Sequence, residues 1–227
     1  MTALATVVAA VPVTVPVIAG LAASAGSAVA AAAAAAPAGR ADSAVYQVRR
    51  GDYLGLIASR FGVSVGDLRV ENRLASDVIH PGQRLKIRSP FRHGRDGDVR
   101  WARPVSRPGR ILREFGPYEQ DGVVMPRTGV DVAATVGTEV RSAAHGVVRY
   151  VGEVDGFGRL VIVEHGAGYS TVLSPLQADS LPWSAGDAVL QGDLLGCVAE
   201  PQEGDEPYLH IELRRRDRAV SPAPLLR

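Results

Sequence analysis

The feature that most constrains the fold is a strict alternation of apolar and polar residues at 208–214, which read Tyr-Leu-His-Ile-Glu-Leu-Arg. An extended chain places successive side chains on opposite faces, so the three aliphatic residues share one face and the four polar residues share the other. This period of two is typical of a half-buried β-strand. We therefore predict a strand here, with His210 and Glu212 on its polar face.

The chain from residue 111 to residue 227 is rich in such segments. Eight short strand candidates alternate with glycine-containing turns: 130–134, 139–143, 146–151, 160–164, 170–173, 188–189, 194–198 and 209–214. Many short strands separated by regular turn signals indicate an all-β domain. We therefore predict an all-β domain at 111–227.

Motifs in this domain resemble, in order and spacing, those of the LytM-type (M23) zinc peptidases. They are Gly129-x-Asp131, His145-Gly146, Gly156-Phe157-Gly158, Glu164-His165-Gly166, Gly186-Asp187, Gly192-x-x-Leu195-Gly196 and Leu209-His210-Ile211-Glu212. The resemblance covers about residues 111–225 and implies an M23-like fold. In active members of that family, two His and one Asp hold zinc, and two further His act on the water and the reaction intermediate.

Three of those five positions are changed in this chain. The resemblance places Asp131 and His210 at the second and third ligand positions but Arg127 at the first, and a guanidinium cannot coordinate a cation. Tyr208 and Pro175 stand at the positions of the two catalytic His, and proline has no side-chain group that transfers a proton. We therefore expect no catalytic residue, no bound zinc and no other cofactor. An active zinc endopeptidase of peptidoglycan crosslinks, with substituted ligands, is the alternative.

The first part of the chain, residues 46–88, has a different pattern. A short strand and a turn precede apolar residues at helical spacing: Leu54, Ile57, Ala58 and Phe61. Gly62 is a candidate C-terminal stop, and Ser64 is a candidate N-cap of a second helix. A return strand follows at 85–87. The predicted order is strand–helix–helix–strand.

Motifs in 46–88 resemble a LysM module: Val48-x-x-Gly51-Asp52-x-Leu54, Ile57-Ala58, Asn72 and Ile79-x-Pro81-Gly82-Gln83. Tyr53 stands where that family usually carries Thr or Ser. The resemblance implies an α+β (βααβ) fold that binds the N-acetylglucosamine-containing glycan strands of peptidoglycan. The residues implied in glycan binding are Gly51, Asp52, Tyr53, Leu54, Asn72, Ile79, Pro81, Gly82 and Gln83. The alternative is that the Gly, Asp and Asn residues only form turns and caps.

The remaining segments predict export and a flexible connection. Residues 1–39 carry no charged side chain and include an alanine run at 30–36, which favours a secretory signal cleaved near residues 36–38. An uncleaved membrane anchor is the alternative. Residues 89–110 are rich in Arg, Pro and Gly and predict a flexible linker. The net charge of +1 gives no field that favours nucleic acid.

Together, the two resemblances point to one biological role. Degenerate LytM domains occur in activators of cell-wall amidases that resemble EnvC and NlpD, and the NlpD type pairs LysM with LytM. This implies a non-catalytic protein that binds peptidoglycan and activates or recruits an N-acetylmuramoyl-L-alanine amidase, in cell division or wall remodelling. The vacated groove would be lined by Arg127, Asp131, Leu173, Tyr208 and His210. One hypothesis is that Arg127 forms a bidentate pair with Asp131; the alternative is that Arg127 points into solvent from a loop. A simple peptidoglycan-binding scaffold is a further alternative.

Overall fold

The computed structural model describes residues 43–88, 90–91, 99–107, 109–120, 122–201, 206–216 and 218–227. The predicted signal or anchor, residues 1–39, lies outside these ranges. Within them, no helix is both long and apolar enough to cross a membrane.

The first domain has the predicted strand–helix–helix–strand order. It consists of β1 (Ser43–Gln47), α1 (Leu54–Phe61), α2 (Val65–Asn72) and β2 (Arg84–Arg88), with β1 and β2 antiparallel. The apolar residues at helical spacing in α1 are all buried. Helix α1 ends at Gly62, whose φ of 58° is left-handed, and the Ser64 side chain accepts a hydrogen bond from the Asp67 backbone N–H at the start of α2. Both predicted helix boundaries are therefore confirmed.

The second domain is predominantly β-structure, as predicted. Its strands are β3 (Ile111–Arg113), β4 (Gly116–Gln120), β5 (Val123–Arg127), β6 (Val130–Ala133), β7 (Glu139–Arg141), β8 (Gly146–Val154), β9 (Gly158–His165), β10 (Tyr169–Ser174), β11 (Ala188–Val189), β12 (Leu194–Cys197), β13 (Tyr208–Arg215) and β14 (Arg218–Val220). All eight predicted strands are present, whereas the sequence analysis missed β3, β4, β5 and β14.

Most of these strands form one antiparallel sheet in the order β11-β8-β9-β10-β13-β6-β3, with β14 added to β13. The pair β7–β12 and the hairpin β4–β5 are separate two-stranded sheets. Val140 of β7 and Leu195 of β12 share a buried apolar cluster with Val161 and Leu173 of the main sheet. Each such side chain contributes roughly 1.5–3 kcal/mol when fully buried, so this cluster holds the β7–β12 pair against the sheet.

Strand β13 departs from the prediction of a half-buried strand. Ile211 and Glu212 point to opposite faces, and both are 0% exposed. The aliphatic face packs in the core, while the polar face is covered by charged and aromatic partners described below. The predicted alternation of apolar and polar residues is present, but the polar face is not exposed to solvent.

The two domains share an apolar core. Val147, Ala188 and Leu190 of the second domain lie in the same buried cluster as Phe61 and Leu85 of the first. Their backbones also meet, because the Val45 N–H donates to the Gly186 carbonyl over 2.9 Å.

An ion pair closes the edge of this interface. The Arg49 guanidinium donates two hydrogen bonds to the Asp193 carboxylate, each 2.6 Å long. This bidentate geometry fixes the orientation of the two groups as well as their distance. The domains are therefore joined by packing and by directed polar contacts.

Within the described ranges, parts of the segment 89–110, which the sequence predicts to be a flexible linker, pack against the two domains. Phe91 is buried with its ring centroid 6.2 Å from that of Phe61. Trp101 packs edge-on against His165, and Val105 is 0% exposed. Residues 92–98 lie outside the described ranges. Apolar residues spaced too irregularly to form a helix or strand pattern nevertheless anchor both ends of this segment.

The shared core predicts that both domains unfold together. The two tryptophans, Trp101 and Trp183, report on the second domain, and the α-helices of the described residues lie in the first. In urea, tryptophan fluorescence and helical circular dichroism should therefore give coincident midpoints. Two separated transitions would show that the domains are thermodynamically independent.

Candidate functional site

The site is built on the pairing of two neighbouring strands. Asp131 of β6 and His210 of β13 are direct cross-strand partners in the antiparallel register. The His210 Nδ1 atom lies 2.5 Å from Asp131 Oδ1, and both side chains are buried. Because a carboxylate only accepts hydrogen bonds, the ring nitrogen is the donor. The predicted second and third ligand positions are therefore brought together, but they bind each other directly.

A second carboxylate continues this cluster. Glu212, which is 0% exposed, accepts hydrogen bonds from the Thr128 hydroxyl and from Arg214 Nη1, the latter over 2.9 Å. The His210 Nε2 atom lies 3.4 Å from Glu212 Oε1. Both ring nitrogens of His210 thus face carboxylate oxygens, which is the arrangement of an imidazolium between two anions.

Gly129 allows the backbone to approach the imidazole. A Cβ atom at this position would lie 2.6 Å from His210 Cε1 and 2.7 Å from the Ile211 carbonyl oxygen. Side chains do not pack at such distances, so only glycine brings the segment before β6 this close. Thr128 reaches Glu212 as a result.

Arg113 places a further cation beside Asp131, and the sequence analysis did not single it out. Strand β3 pairs with β6 so that Arg113 lies opposite Asp131, and Arg113 Nη1 is 3.1 Å from Asp131 Oδ2. The guanidinium carbon lies 5.6 Å from the ring centroid of Tyr208. No local sequence signal predicts this contact, because it depends on the register between β3 and β6.

The contacts shift the pKa values of all three groups in the centre. Burial alone would lower the pKa of His210, but the hydrogen bonds to Asp131 and Glu212 outweigh it and raise the pKa from 6.5 to about 9. Burial would raise the pKa of Asp131, whereas His210 and Arg113 hold it below its usual range. For Glu212, burial is likewise outweighed by His210 and Thr128, so its pKa is lowered. At neutral pH the cluster holds one imidazolium and two carboxylates.

Arg127 does not form the predicted pair with Asp131. It ends β5, and its guanidinium carbon lies 4.1 Å above the ring centroid of Tyr118 in the facing strand. Arg113 makes the Asp131 contact instead. The prediction is wrong because a spacing of four residues between Arg127 and Asp131 spans the turn between two different sheets.

The other predicted site residues have mixed outcomes. Pro175 follows Ser174, the cross-strand partner of His210, and therefore lies at the edge of the site. Tyr208 lies two residues before His210 and contacts Arg113. Leu173 is 0% exposed and belongs to the apolar core, so the prediction that it lines a partner groove is wrong. Phe157, which was not predicted as a site residue, packs edge-on against the His210 ring at 5.4 Å.

The predicted glycan-binding residues divide into structural and exposed groups. Asp52 accepts hydrogen bonds from Tyr46, Arg60 and its own loop, and Asn72 ties α2 to both polar atoms of the Lys86 backbone. Leu54 is buried, Ile79 is partly buried against the core, and the Gln83 side chain accepts a hydrogen bond from the His80 N–H. The residues that face solvent are Gly51, Tyr53, Pro81 and Gly82.

The two loops of the first domain are held next to each other. The Val48 N–H donates to the Gln83 carbonyl, and the Gly82 N–H donates to the Val48 carbonyl, each over 2.8 Å. Gly51 and Gly82 have φ values of 87° and 88°, which favour glycine. The exposed Tyr53 ring, at 62% relative exposure, stands at the surface formed by these loops.

The residues present do not fit a zinc ion. A catalytic zinc site needs three protein donors and one open position, with neutral imidazoles as ligands. Within the ranges that the structure describes, no group of three or more His, Cys, Asp or Glu side chains is arranged to hold a metal. His210 and Asp131 are bound to each other, and Arg113 binds the second Asp131 oxygen.

Comparisons with known families agree with this architecture. Residues 46–88 match the family model of the LysM domain, and residues 125–222 match that of peptidase family M23. The chain therefore carries a LysM domain with small helices, followed by a predominantly β, M23 peptidase-like domain.

Particular relatives differ in their described roles. Over 133 residues the chain is 31% identical to the DD-carboxypeptidase/endopeptidase Mpg of Neisseria meningitidis, covering 50% of this chain and 30% of Mpg. Over 118 residues it is 34% identical to the murein hydrolase activator EnvC of Escherichia coli, covering 52% of this chain and 27% of EnvC. It is 26% identical to the uncharacterized lipoprotein YgeR of Escherichia coli over 207 residues, covering 81% of each chain. The chain thus spans less than a third of the length of Mpg.

The fold also resembles a solved structure. A crystal structure of a zinc containing peptidase from Vibrio cholerae aligns with a TM-score of 0.50 and 20% identity, covering 81% of this chain and 70% of that chain. At this identity the likeness concerns the fold alone.

The buried cluster predicts a large cost for removing His210. The substitution His210→Ala leaves Asp131 and Glu212 without the imidazolium between them, so the free energy of unfolding should fall by about 3–5 kcal/mol. Urea denaturation at neutral pH measures this loss. As a control, His80→Ala in an exposed loop should change stability by less than about 0.5 kcal/mol. Equal losses of unfolding free energy for the two substitutions would contradict the stabilising role of the cluster.

The raised pKa of His210 predicts a pH dependence of stability. A group whose pKa is higher in the folded state binds its proton more tightly there, so its stabilisation is complete below its ordinary value of 6.5. That stabilisation should be lost as the pH rises from 6.5 through about 9. We expect the wild-type protein to lose more stability over this interval than His210→Ala, as measured by thermal unfolding. Parallel pH profiles of stability for the two proteins would contradict the raised pKa of His210.

Proposed function

We propose that this protein is a non-catalytic cell-wall protein that binds peptidoglycan and activates or recruits an N-acetylmuramoyl-L-alanine amidase. The observation that carries the proposal is the direct contact between His210 and Asp131, at the two positions where the family resemblance expects zinc ligands. The M23-like domain would then act as a binding surface. The zinc and the hydrolysis would belong to the partner amidase.

The absence of catalysis follows from the chemistry of the substituted positions. Zinc-dependent hydrolysis needs a metal-bound water and groups that transfer protons near neutral pH. Pro175 carries no such group, and the Arg127 guanidinium packs on Tyr118. Tyr208 carries a phenol in place of the imidazole that exchanges protons near neutral pH. These features support a binding role without a resident cofactor.

The composition of the site suits a protein partner. Tyr208 contacts Arg113 and Phe157 packs on His210, while Arg127 directly precedes Thr128, which binds Glu212. Tyr, Phe and Arg are enriched at protein interfaces. The similarity to EnvC, which is named a murein hydrolase activator, supports activation as the outcome of binding. An amidase segment docked here would contact the M23-like domain without competing for a metal.

The LysM domain would supply attachment to the cell wall. The exposed tyrosine ring at Tyr53 suits stacking on a sugar ring. The exposed loop at Pro81 and Gly82 presents backbone groups that suit hydrogen bonding to a sugar chain. Because the LysM domain packs against the M23-like domain, glycan binding would hold the partner site at a set position on peptidoglycan. This role requires export, for which the residues at 1–39 would serve as a signal or an anchor.

A residual endopeptidase activity is the competing function, and the similarity to Mpg favours it. It would require zinc to displace the contacts between His210, Asp131 and Arg113. Zinc content and crosslink cleavage distinguish this function from the proposed one.

The activator role predicts the behaviour of the purified full chain with its cognate amidase. The chain alone should contain no stoichiometric zinc and release no dye from labelled peptidoglycan, whereas it should stimulate release by the amidase. Arg127→Ala should weaken stimulation about 5-fold, the effect of losing an interface contact worth about 1 kcal/mol. Arg110→Ala, which removes an exposed guanidinium paired with Glu206, is the matched control.

Other outcomes of that assay identify the alternatives. Release by the chain alone, abolished by a chelator, would establish the endopeptidase. Intact peptidoglycan binding without stimulation of the amidase would establish a scaffold. Equal losses of amidase stimulation in the Arg127 and Arg110 variants would show that the proposed surface is not part of the partner interface.

Wall attachment predicts a separate result for the LysM domain. Tyr53→Ala should reduce sedimentation of the full chain with insoluble peptidoglycan by about 5- to 10-fold, because the exposed ring is lost from the two-loop surface. Val70→Ala removes a side chain that is 81% exposed elsewhere in the same domain and should have no effect. Unchanged sedimentation of the Tyr53 variant would place wall binding elsewhere.

A further inference from the structure

Arg113 occupies a position that no motif assigns to a functional residue. The register between β3 and β6 shifts between Ile111 and Arg113, and this irregularity brings Arg113 opposite Asp131. The Arg113 side chain is 40% exposed, whereas the Asp131 side chain is 7% exposed. The guanidinium therefore enters from the surface and ends at a buried carboxylate.

Both oxygens of that carboxylate are already bound. His210 Nδ1 lies 2.5 Å from Oδ1, and Arg113 Nη1 lies 3.1 Å from Oδ2. On the other side of His210, Glu212 is held by Thr128 and Arg214. The two buried carboxylates thus have nitrogen and hydroxyl donors as partners, which is how buried charges are stabilised without a metal.

A divalent cation at Asp131 would meet a strong electrostatic obstacle. Arg113 is permanently charged, and like charges a few ångströms apart repel substantially even where solvent screens them. The guanidinium is also supported by the Tyr208 ring, whose centroid lies 5.6 Å from its central carbon. Moving it away would break the contact with Asp131 and the contact with Tyr208 together.

We propose that Arg113 is a built-in cation that takes the place of a metal ion at Asp131 and excludes divalent metals from the site. The inference rests on the non-catalytic part of the proposed function and is independent of the amidase partner. The proposal has two consequences. The M23-like domain keeps its site ordered without zinc. Restoring a ligand at position 127 is not sufficient to restore a metal site.

Three variants of the full chain test this proposal. The first is Arg127→His, which returns the expected donor type to the first ligand position. The second combines Arg127→His with Arg113→Gln, and the third combines Arg127→His with Arg110→Gln as a control for the loss of a nearby charge. Zinc chloride is titrated by calorimetry, circular dichroism checks folding, and elemental analysis after dialysis gives the zinc content.

We expect the Arg127→His/Arg113→Gln variant to bind zinc at least about 10-fold more tightly than the other two. Equal affinities in all three variants would overturn the proposal, because Arg113 would then not oppose the metal. Folded variants that all lack zinc would overturn it as well, because removing Arg113 would not open the site.

A measurement on the unaltered protein keeps the proposal testable if a variant does not fold. A metal that binds only the folded state raises its stability, so the thermal midpoint reports binding directly. We expect the midpoint to be the same with zinc chloride, with a chelator and without either. A higher midpoint with zinc would overturn the proposal. Amidase stimulation plays no part in these readouts, so a failed activator assay remains a separate result.

Discussion

The burial of Asp131 and Glu212 inside one sheet is the constraint on which the site depends. A buried carboxylate without a cationic or hydrogen-bonding partner is strongly unfavourable, and these two lie on neighbouring strands. The fold provides His210 between them, Arg113 for one and Arg214 with Thr128 for the other. These partners come from β13, from β3 and from the turn that precedes β6, so the cluster ties these segments to β6.

This cluster also explains how an M23-like fold can persist with its expected ligand set broken. The family resemblance implies that zinc would balance the charge of Asp131 and orient Asp131 and His210. Here the same residues neutralise each other, and Arg113 supplies additional positive charge. The sheet keeps its geometry, and under the proposed function its surface would serve as a binding site. A protein that regulates a hydrolase needs such a surface, and it does not need a metal-bound water.

The contact between the two domains gives the proposed role a spatial basis. Packing of Val147 and Leu190 beside Phe61, together with the Arg49–Asp193 pair, sets the LysM loops and the M23-like site on one body. The segment that joins the domains contributes Phe91 and Trp101 to these packed regions. Attachment to glycan would consequently orient the partner site, which a freely jointed pair of domains would not do.

The sequence alone predicted both domain folds and showed which residues stand where the family resemblance expects catalytic groups. Period-two alternation and helical spacing are local properties, so strands such as β13 and helices such as α1 were predictable. The substitutions at Arg127, Pro175 and Tyr208 were also informative, because the chemistry of a guanidinium or a proline does not depend on its surroundings. Gly62, which ends α1, and Ser64, which begins α2, were predictable as well, because each acts through its own backbone or side-chain preference.

Only the tertiary structure decided which residues meet. Arg113 and Asp131 are joined by a strand register that contains an irregularity, and Arg127 is turned toward Tyr118 by a hairpin that lacks an alternating pattern. Leu173 belongs to the core because both faces of its strand are buried. Shared packing between the domains likewise depends on apolar residues far apart in the chain. Local periodicity specifies an element, but strand register and long-range packing arise from the free energy of the whole fold, so the contact between Arg113 and Asp131 could be seen only there.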